Sequence, residues 1–383
     1  MPAWQADRIA LVVTDFESGG VERNFSQLMR GFRRLGVESW FLVGNPQHDY
    51  LRDLAADGSL LRITAPREEY LRRFLRQQRP DYLITGKLSD DLSALAARHG
   101  LPAEAGGSTR LVAAVGTHMS GRFASHRWNW LKTWRDTYRI QTGYRALDGI
   151  TAVSQEVADD LRHYFGITRV PIGVLNNPII PEELEVLAQA PCPHPWLAET
   201  RDGRPTPVIL ALGGLRQVKG FDTLLRGMAA MKPPGARLII IGEGKERQRL
   251  AALAEHLHIS ERVDLAGFQA NPYPYLARAD LLVLSSRREG LPNALVEALA
   301  LGIRVVATDC SGGIRALLGS GEADRLVPIN HPGALADAMT QALAASASGF
   351  DQPEHRQRMV EPYRLIPATL DLLEFLHSLP ARN

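Results

Sequence analysis

Two carboxylates with seven residues between them, Glu289 and Glu297, lie in the stretch Ser285–Gly302, which reads S-S-R-R-E-G-L-P-N-A-L-V-E-A-L-A-L-G. The apolar run Asp280-Leu281-Leu282-Val283-Leu284 before it is bounded like a buried strand. Pro292 suits a first helical position, because its fixed φ fits there and its missing N–H costs nothing. Ala294–Ala300 then reads as a helix with Leu295, Val296 and Leu299 on its core face. Glu289 is thereby placed in a strand-to-helix loop and Glu297 a turn or more inside the helix. Gly290, Leu291, Pro292 and Asn293, between them, form the helix entrance, where unpaired N–H groups and the positive dipole end favour an anion. Carboxylates on either side of a bound diphosphate would hold hydroxyls flanking it. The plain alternative is a solvated loop charge and an exposed helix residue.

Other strand ends carry further candidates. After the strand Val208–Leu212 comes Gly213-Gly214-Leu215-Arg216-Gln217-Val218-Lys219-Gly220, where Arg216 offers a planar fork and Lys219 a point charge to a phosphate. Gly116-Thr117-His118-Met119 follows the strand Leu111–Val115. A histidine there titrates near neutrality and donates from either nitrogen, although most single histidines are structural. After the strand Arg8–Thr14, Gly19-Gly20 lets the backbone turn tightly and approach a ligand ahead of a helix running to about Leu35.

These strand ends belong to a repeated strand–helix alternation. Further strands read at Ser39–Val43, Leu61–Ile63, Tyr82–Thr85, Ile150–Val153, Gly173–Leu175, Arg237–Ile241, Val263–Leu265 and Val305–Ala307, with helices at Glu68–Gln77 and Asp91–Arg98. Such alternation predicts an α/β chain with parallel, doubly wound sheets whose ligands sit beyond the carboxyl ends of the strands. Pro181 to Pro207 reads as irregular connection, which sets domains at 1–178 and 207–350. The tail from about 354 to 379 reads as an amphipathic helix.

Composition bounds the rest. Hydrophobic residues are 45% and charged residues 22%, as in ordinary globular proteins, and a net charge of +2 gives no global field for nucleic acid. Cys192 and Cys310 stand far apart without a CxxC pattern, which predicts a reducing compartment and no metal site. The run Ile9–Val13 is too short for a secretion-signal core, so the chain is expected in the cytoplasm. No DxD metal signature occurs.

The stretch 267–313, G-F-Q-A-N-P-Y-P-Y-L-A-R-A-D-L-L-V-L-S-S-R-R-E-G-L-P-N-A-L-V-E-A-L-A-L-G-I-R-V-V-A-T-D-C-S-G-G, closely resembles the donor-site segment of family 4 retaining glycosyltransferases. The paired-glutamate signature of that family falls on Glu289 and Glu297. The segment 213–220 resembles its basic glycine loop, with Lys219 matching, Gly214 standing where many members have arginine, and Arg216 as the substitute. The resemblance covers most of the chain coarsely and 208–318 specifically. It implies the GT-B architecture, two Rossmann-like domains facing across a cleft, with the C-terminal helix crossing back to the first. It implies donor contacts from Phe268 at the base, Glu297 at the ribose, Lys219 and Arg216 at the diphosphate and Glu289 at the sugar, with His118 orienting that sugar from the opposite domain.

The implied activity is retaining transfer of a hexosyl or N-acetylhexosaminyl group from a nucleoside diphosphate sugar, expected to be a UDP-sugar. The acceptor is a hydroxyl of a lipid-linked or polysaccharide molecule in bacterial cell-surface glycan synthesis, and no metal or cofactor is expected. The alternatives are a sugar-nucleotide epimerase of the same fold and a non-catalytic sugar-nucleotide-binding protein. Gly121–Arg145 holds Arg122, Arg127, Lys132, Arg135, Arg139 and Arg145 against the one acid Asp136, and three of the chain's six tryptophans, Trp128, Trp130 and Trp134. Cations beside amphipathic aromatics predict docking on an anionic membrane, peripheral at its cytoplasmic face. Against this stands a helix whose tryptophans are core, since Trp130 and Trp134 are four apart.

Overall fold

The computed structural model describes residues 3–15, 20–55, 58–64, 66–120, 130–198, 206–232, 235–318, 326–344 and 353–382. It divides into two compact units, residues 1–179 with 363–383, and 180–362.

Unit 1 runs β1 (Arg8–Val13), α1 (Gly20–Leu35), β2 (Glu38–Val43), β3 (Leu60–Arg62), α2 (Arg67–Gln78), β4 (Tyr82–Thr85), α3 (Leu88–Arg98), β5 (Arg110–Val115), α4 (Trp130–Tyr144), β6 (Gly149–Ala152), α5 (Gln155–Asp159) and β7 (Ile172–Val174). Its parallel sheet has the order β3-β2-β1-β4-β5-β6-β7 among the described residues. Alternation along β1 supplies both faces of this sheet. Ile9, Leu11 and Val13 pack with Phe25, Met29 and Phe32 of α1, whereas Ala10 and Val12 pack with Leu71 and Leu75 of α2.

Unit 2 runs α6 (Leu184–Gln189), β8 (Val208–Leu212), α7 (Phe221–Ala230), β9 (Arg237–Ile241), α8 (Arg247–His256), β10 (Val263–Gly267), α9 (Tyr273–Arg278), β11 (Leu281–Leu284), α10 (Asn293–Ala300), β12 (Val305–Thr308), α11 (Gly312–Leu318), β13 (Leu326–Val327), α12 (Pro332–Ala344) and α13 (Pro353–Met359). Its order is β10-β9-β8-β11-β12-β13, again parallel. In unit 2 the strand order reverses between β8 and β11, in unit 1 between β1 and β4. These are the switch points at which doubly wound sheets open a crevice for ligands.

The last helix, α14 (Leu365–Ser378), belongs to unit 1, where Leu372, Leu373 and Leu376 share a core with Ile9, Leu11 and Tyr82. The tail is therefore two helices rather than the single one expected. Pro362, which cannot donate to a helix and clashes with the preceding turn, sits in the 3-10 turn Glu361–Tyr363 between them. The segment read as irregular connection also differs, since α6 and the 3-10 turn Pro195–Leu197 lie in it. It folds onto unit 2, with Asn271 Nδ2 donating to the Leu187 carbonyl at 3.0 Å and His194 Nε2 2.9 Å from Asp264.

Candidate active site

The loops after β8 and β11, on either side of the unit 2 switch point, meet closely. Gly220 ends the 3-10 turn Gln217–Lys219 with φ 62°, and a Cβ there would fall 2.0 Å from the Ser285 carbonyl oxygen. A side chain is excluded by both the left-handed backbone and the approach of the neighbouring loop. Ser285 Oγ donates to the Lys219 carbonyl at 2.9 Å, so the two loops are joined beside the lysine. Lys219 Nζ then donates to Glu289 Oε1 at 2.7 Å, and Ser286 Oγ donates to the same oxygen at 2.6 Å. Both side chains are only partly exposed, which strengthens the pairing over that of a surface pair.

Cys310 lies within range of this pair. Burial pushes its thiol up to about 11, the Thr308 hydrogen bond and the Lys219 charge lower it, and the Glu289 charge adds to the rise. The thiol is an inert neighbour rather than a nucleophile at neutral pH.

Pro292 is the N-cap of α10 rather than its first helical residue, with an extended backbone at ψ 124° and a carbonyl that accepts from Leu295 N at 3.0 Å. Asn293 is thus the first helical residue. The Gly290 carbonyl accepts from Ser311 Oγ at 2.8 Å, and a Cβ on Gly313 would lie 2.6 Å from it. The starts of α10 and α11 are therefore adjacent, with Leu291 between Gly290 and the proline. Glu297 is 1% exposed, and its Oε1 is 3.5 Å from Tyr273 Oη. The carboxylate is a buried, hydrogen-bonded group rather than a solvated helix charge.

Arg216 is exposed before the Lys219 turn, and its guanidinium folds over Gly214, where an added Cβ would lie 3.1 Å from Nε. Phe268 is 44% exposed just past β10, separated from β8 by β9 along the same sheet edge. The structure thus brings Lys219, Glu289, Gly290, Leu291, Pro292 and Asn293 to one switch point and leaves Phe268 two strands away.

In unit 1, His118 follows β5, with Nε2 3.5 Å from Glu156 Oε2. The Met119 and Ser120 N–H groups donate to Asp160 Oδ2 at 2.9 and 3.1 Å, which pins the turn that carries the histidine. Gly20 opens α1, while Gly19 lies outside the described residues. Nearby, Lys87 Nζ lies 2.6 Å from the buried Glu22, and Thr14 Oγ1 donates to Asp90 at 2.6 Å. Burial raises Asp90 above the ordinary carboxylate value, and the Thr14 bonds and the Arg67 charge only partly offset it.

Sequence reasoning passed over Glu156, Asp160 and Ser286, and it treated Arg287 only as part of a motif string. Arg287 NH2 reaches both carboxylate oxygens of Asp222, at 2.8 and 2.9 Å. A basic residue two before a candidate carboxylate was the available signal; its partner in another loop was not. Among the described residues, no three His, Cys, Asp or Glu side chains group as a metal site. Among them also, no helix is long and apolar enough to cross a membrane.

Two family models match the chain, Glycosyltransferase Family 4 over residues 18–183 and Glycosyl transferases group 1 over 206–345. A Campylobacter jejuni protein named N-acetylgalactosamine-N,N'-diacetylbacillosaminyl-diphospho-undecaprenol 4-alpha-N-acetylgalactosaminyltransferase is 32% identical over 226 residues, 59% of this chain and 58% of that protein. The lipopolysaccharide core biosynthesis glycosyltransferase LpsE of Rhizobium meliloti is 38% identical over 138 residues, 36% of this chain and 40% of the relative. The chain therefore spans about half the length of these relatives. Among solved structures, Anabaena HepE in complex with UDP and glucose superposes with a TM-score of 0.76 at 15% identity, over 97% of this chain and 100% of that one. The galactosyltransferase WaaB gives 0.67 at 17% identity, over 97% and 99%. These likenesses identify the fold as GT-B. With one model matched in each of its two units, the chain carries a Glycosyltransferase Family 4 domain followed by a Glycosyl transferases group 1 domain.

Proposed function

We propose that this chain transfers a hexosyl or N-acetylhexosaminyl group from a UDP-sugar to a hydroxyl of a lipid-linked or polysaccharide acceptor, retaining the anomeric configuration, in bacterial cell-surface glycan synthesis. The observation that carries this reading is the meeting of Lys219 and Glu289 at the switch point beside the α10 N-terminus. The names of the relatives support the pathway, and the UDP bound by the Anabaena neighbour supports the base.

In this reading the bond from the sugar C1 to the diphosphate oxygen breaks, and its electron pair leaves with the diphosphate. Lys219, Arg216 and the N–H groups at the start of α10 meet that charge where it develops. The acceptor oxygen attacks C1 on the same face, and its proton passes to the departing phosphate oxygen. Glu289 accepts from the sugar hydroxyls, Glu297 accepts from the ribose, and His118 keeps the role that the family resemblance implies. No enzymic nucleophile and no metal take part.

We also assign α4 to an anionic membrane surface. Trp134 and Tyr138 are 65% and 55% exposed and stack at 5.8 Å, with Arg135 and Arg139 exposed beside them. Ile140 and Tyr144 turn into the core instead. Trp134 is therefore not part of a buried stripe. Trp128, Arg122 and Arg127 lie outside the described residues, and the reading does not rest on them.

The deciding experiment incubates the protein with a panel of UDP-sugars and a bacterial lipid extract, followed by NMR of the new linkage. Transfer with the donor's anomeric configuration is the expected result. Conversion of a UDP-sugar to its epimer without transfer would overturn it.

A further inference from the structure

We propose that Arg287 is a positioning residue that sets Lys219 against Glu289. The proposal rests on the donor-site reading above. The two residues sit on different strand-to-helix loops, and the chain between them passes through three helices and three strands. Something must hold the loops in register to a fraction of an ångström, and β8 and β11 pair directly through only Leu281 with Ile209 and Leu282 with Leu210.

Beside the Ser285 Oγ bond to the Lys219 carbonyl, Arg287 supplies that register. Its backbone N–H donates to the Val218 carbonyl at 2.7 Å, and NH1 donates to the Gln217 carbonyl. NH2 donates to both oxygens of Asp222 at 2.8 and 2.9 Å, and Nε donates to Asn330 Oδ1 at 2.7 Å. Residues 217, 218 and 222 surround Lys219 on both sides, and Glu289 is two residues along from the arginine. Asn330, with φ 58°, brings in the loop after β13, so three loops converge on one guanidinium. These bonds go to the segments around the Lys219–Glu289 pair rather than to either of its side chains, so Arg287 acts through the loops that carry them. A lysine would keep the charge but lose the fork, since one ammonium group cannot span a carboxylate, an amide oxygen and a carbonyl in fixed directions.

The test uses calorimetry with whichever of UDP, GDP or ADP the wild-type protein binds best. Arg287→Ala is expected to weaken nucleotide binding by about tenfold or more, the usual range for losing a residue that orients a ligand group. Arg287→Lys falls between it and wild type. In a Lys219→Ala background, Arg287→Ala is expected to cost no further affinity, because the arginine has nothing left to place. A purely structural role would lower the melting temperature yet leave affinity within twofold, or give additive losses in the two backgrounds. Either result overturns the proposal while leaving the donor site standing. Failure of the wild type to bind any of the three nucleotides would overturn the donor-site reading and this proposal together. If Arg287→Ala does not fold, Asp222→Asn removes the carboxylate clasp at constant volume and is expected to weaken binding in the same way; unchanged affinity there would also overturn the proposal.

Discussion

Lys219 Nζ rests 2.7 Å from Glu289 Oε1 across 70 residues of sequence. The pair holds the cation at the helix entrance, with both side chains still partly open to solvent. A diphosphate brings more negative charge and can take the lysine over, leaving Glu289 to accept from sugar hydroxyls.

The two partners should therefore fail differently. Glu289→Gln is expected to keep or tighten UDP affinity while transfer falls roughly ten- to hundredfold, the loss of one charge-assisted hydrogen bond worth about 1.5–3 kcal/mol. Lys219→Ala should weaken UDP itself. Calorimetry and kcat/KM on both variants check this, and near wild-type kcat/KM in both would remove the assignment.

Gly220→Ala is expected to destabilise the protein by about 2–4 kcal/mol. The left-handed φ of 62° alone costs a side chain roughly 1 kcal/mol or more, and the new methyl would be driven into the Ser285 carbonyl at 2.0 Å. Urea unfolding measures the loss.

Acid should loosen the same loops. Burial works against ionisation of Asp222, but the hydrogen bonds and charge of Arg287 outweigh it and hold the carboxyl below its ordinary 3.8. Between the lowered native value and 3.8, the unfolded chain binds a proton that the native one does not. The contribution is thus present above 3.8 and disappears as pH falls through the native value. Urea midpoints measured from pH 6 down to pH 3 should fall less steeply in Asp222→Asn than in wild type.

Flotation with vesicles containing anionic lipid tests the exposed face of α4. Trp134→Ala/Tyr138→Ala and Arg135→Glu/Arg139→Glu should each lose recovery relative to wild type, the arginine variant by about 1 kcal/mol per charge removed from the surface. Equal recovery of all three proteins would count against membrane docking.

Chelation should leave transfer intact, since Lys219, Arg216 and the α10 N-terminus are the groups assigned to the leaving charge. Complete loss in EDTA with recovery on adding magnesium or manganese would refute that assignment.

The strand ends were readable in advance because each is a short apolar run stopped by glycine or a polar residue, and both sheets follow from their repetition. β1 matches its expected bounds to within one residue. Lys219 and Glu289 were legible for a related reason: residues just past such runs fall at the ligand-bearing edge. The clasp of Arg287 on Asp222 was not, because their separation of 65 residues carries no local pattern. Nor was Asp160, whose value lies in two backbone N–H groups 40 and 41 residues upstream. The break in the tail was missed: Pro362 divides it, while Pro367 is tolerated in the first turn of α14, where no earlier carbonyl needs its N–H.

The place of α14 carries a consequence for how this chain comes into being. Most of unit 1 precedes unit 2 in the chain, yet the helix that completes the core around Ile9, Leu11 and Tyr82 is made only after all of unit 2 has been synthesised. A ribosome releases the first sheet with that face covered by α1 but lacking the α14 side chains of its core, and translation of more than 180 further residues, 180–362, intervenes before they arrive. Through that interval the core of the first half is incomplete, whereas unit 2, contiguous in the chain, can close its own core as soon as it emerges.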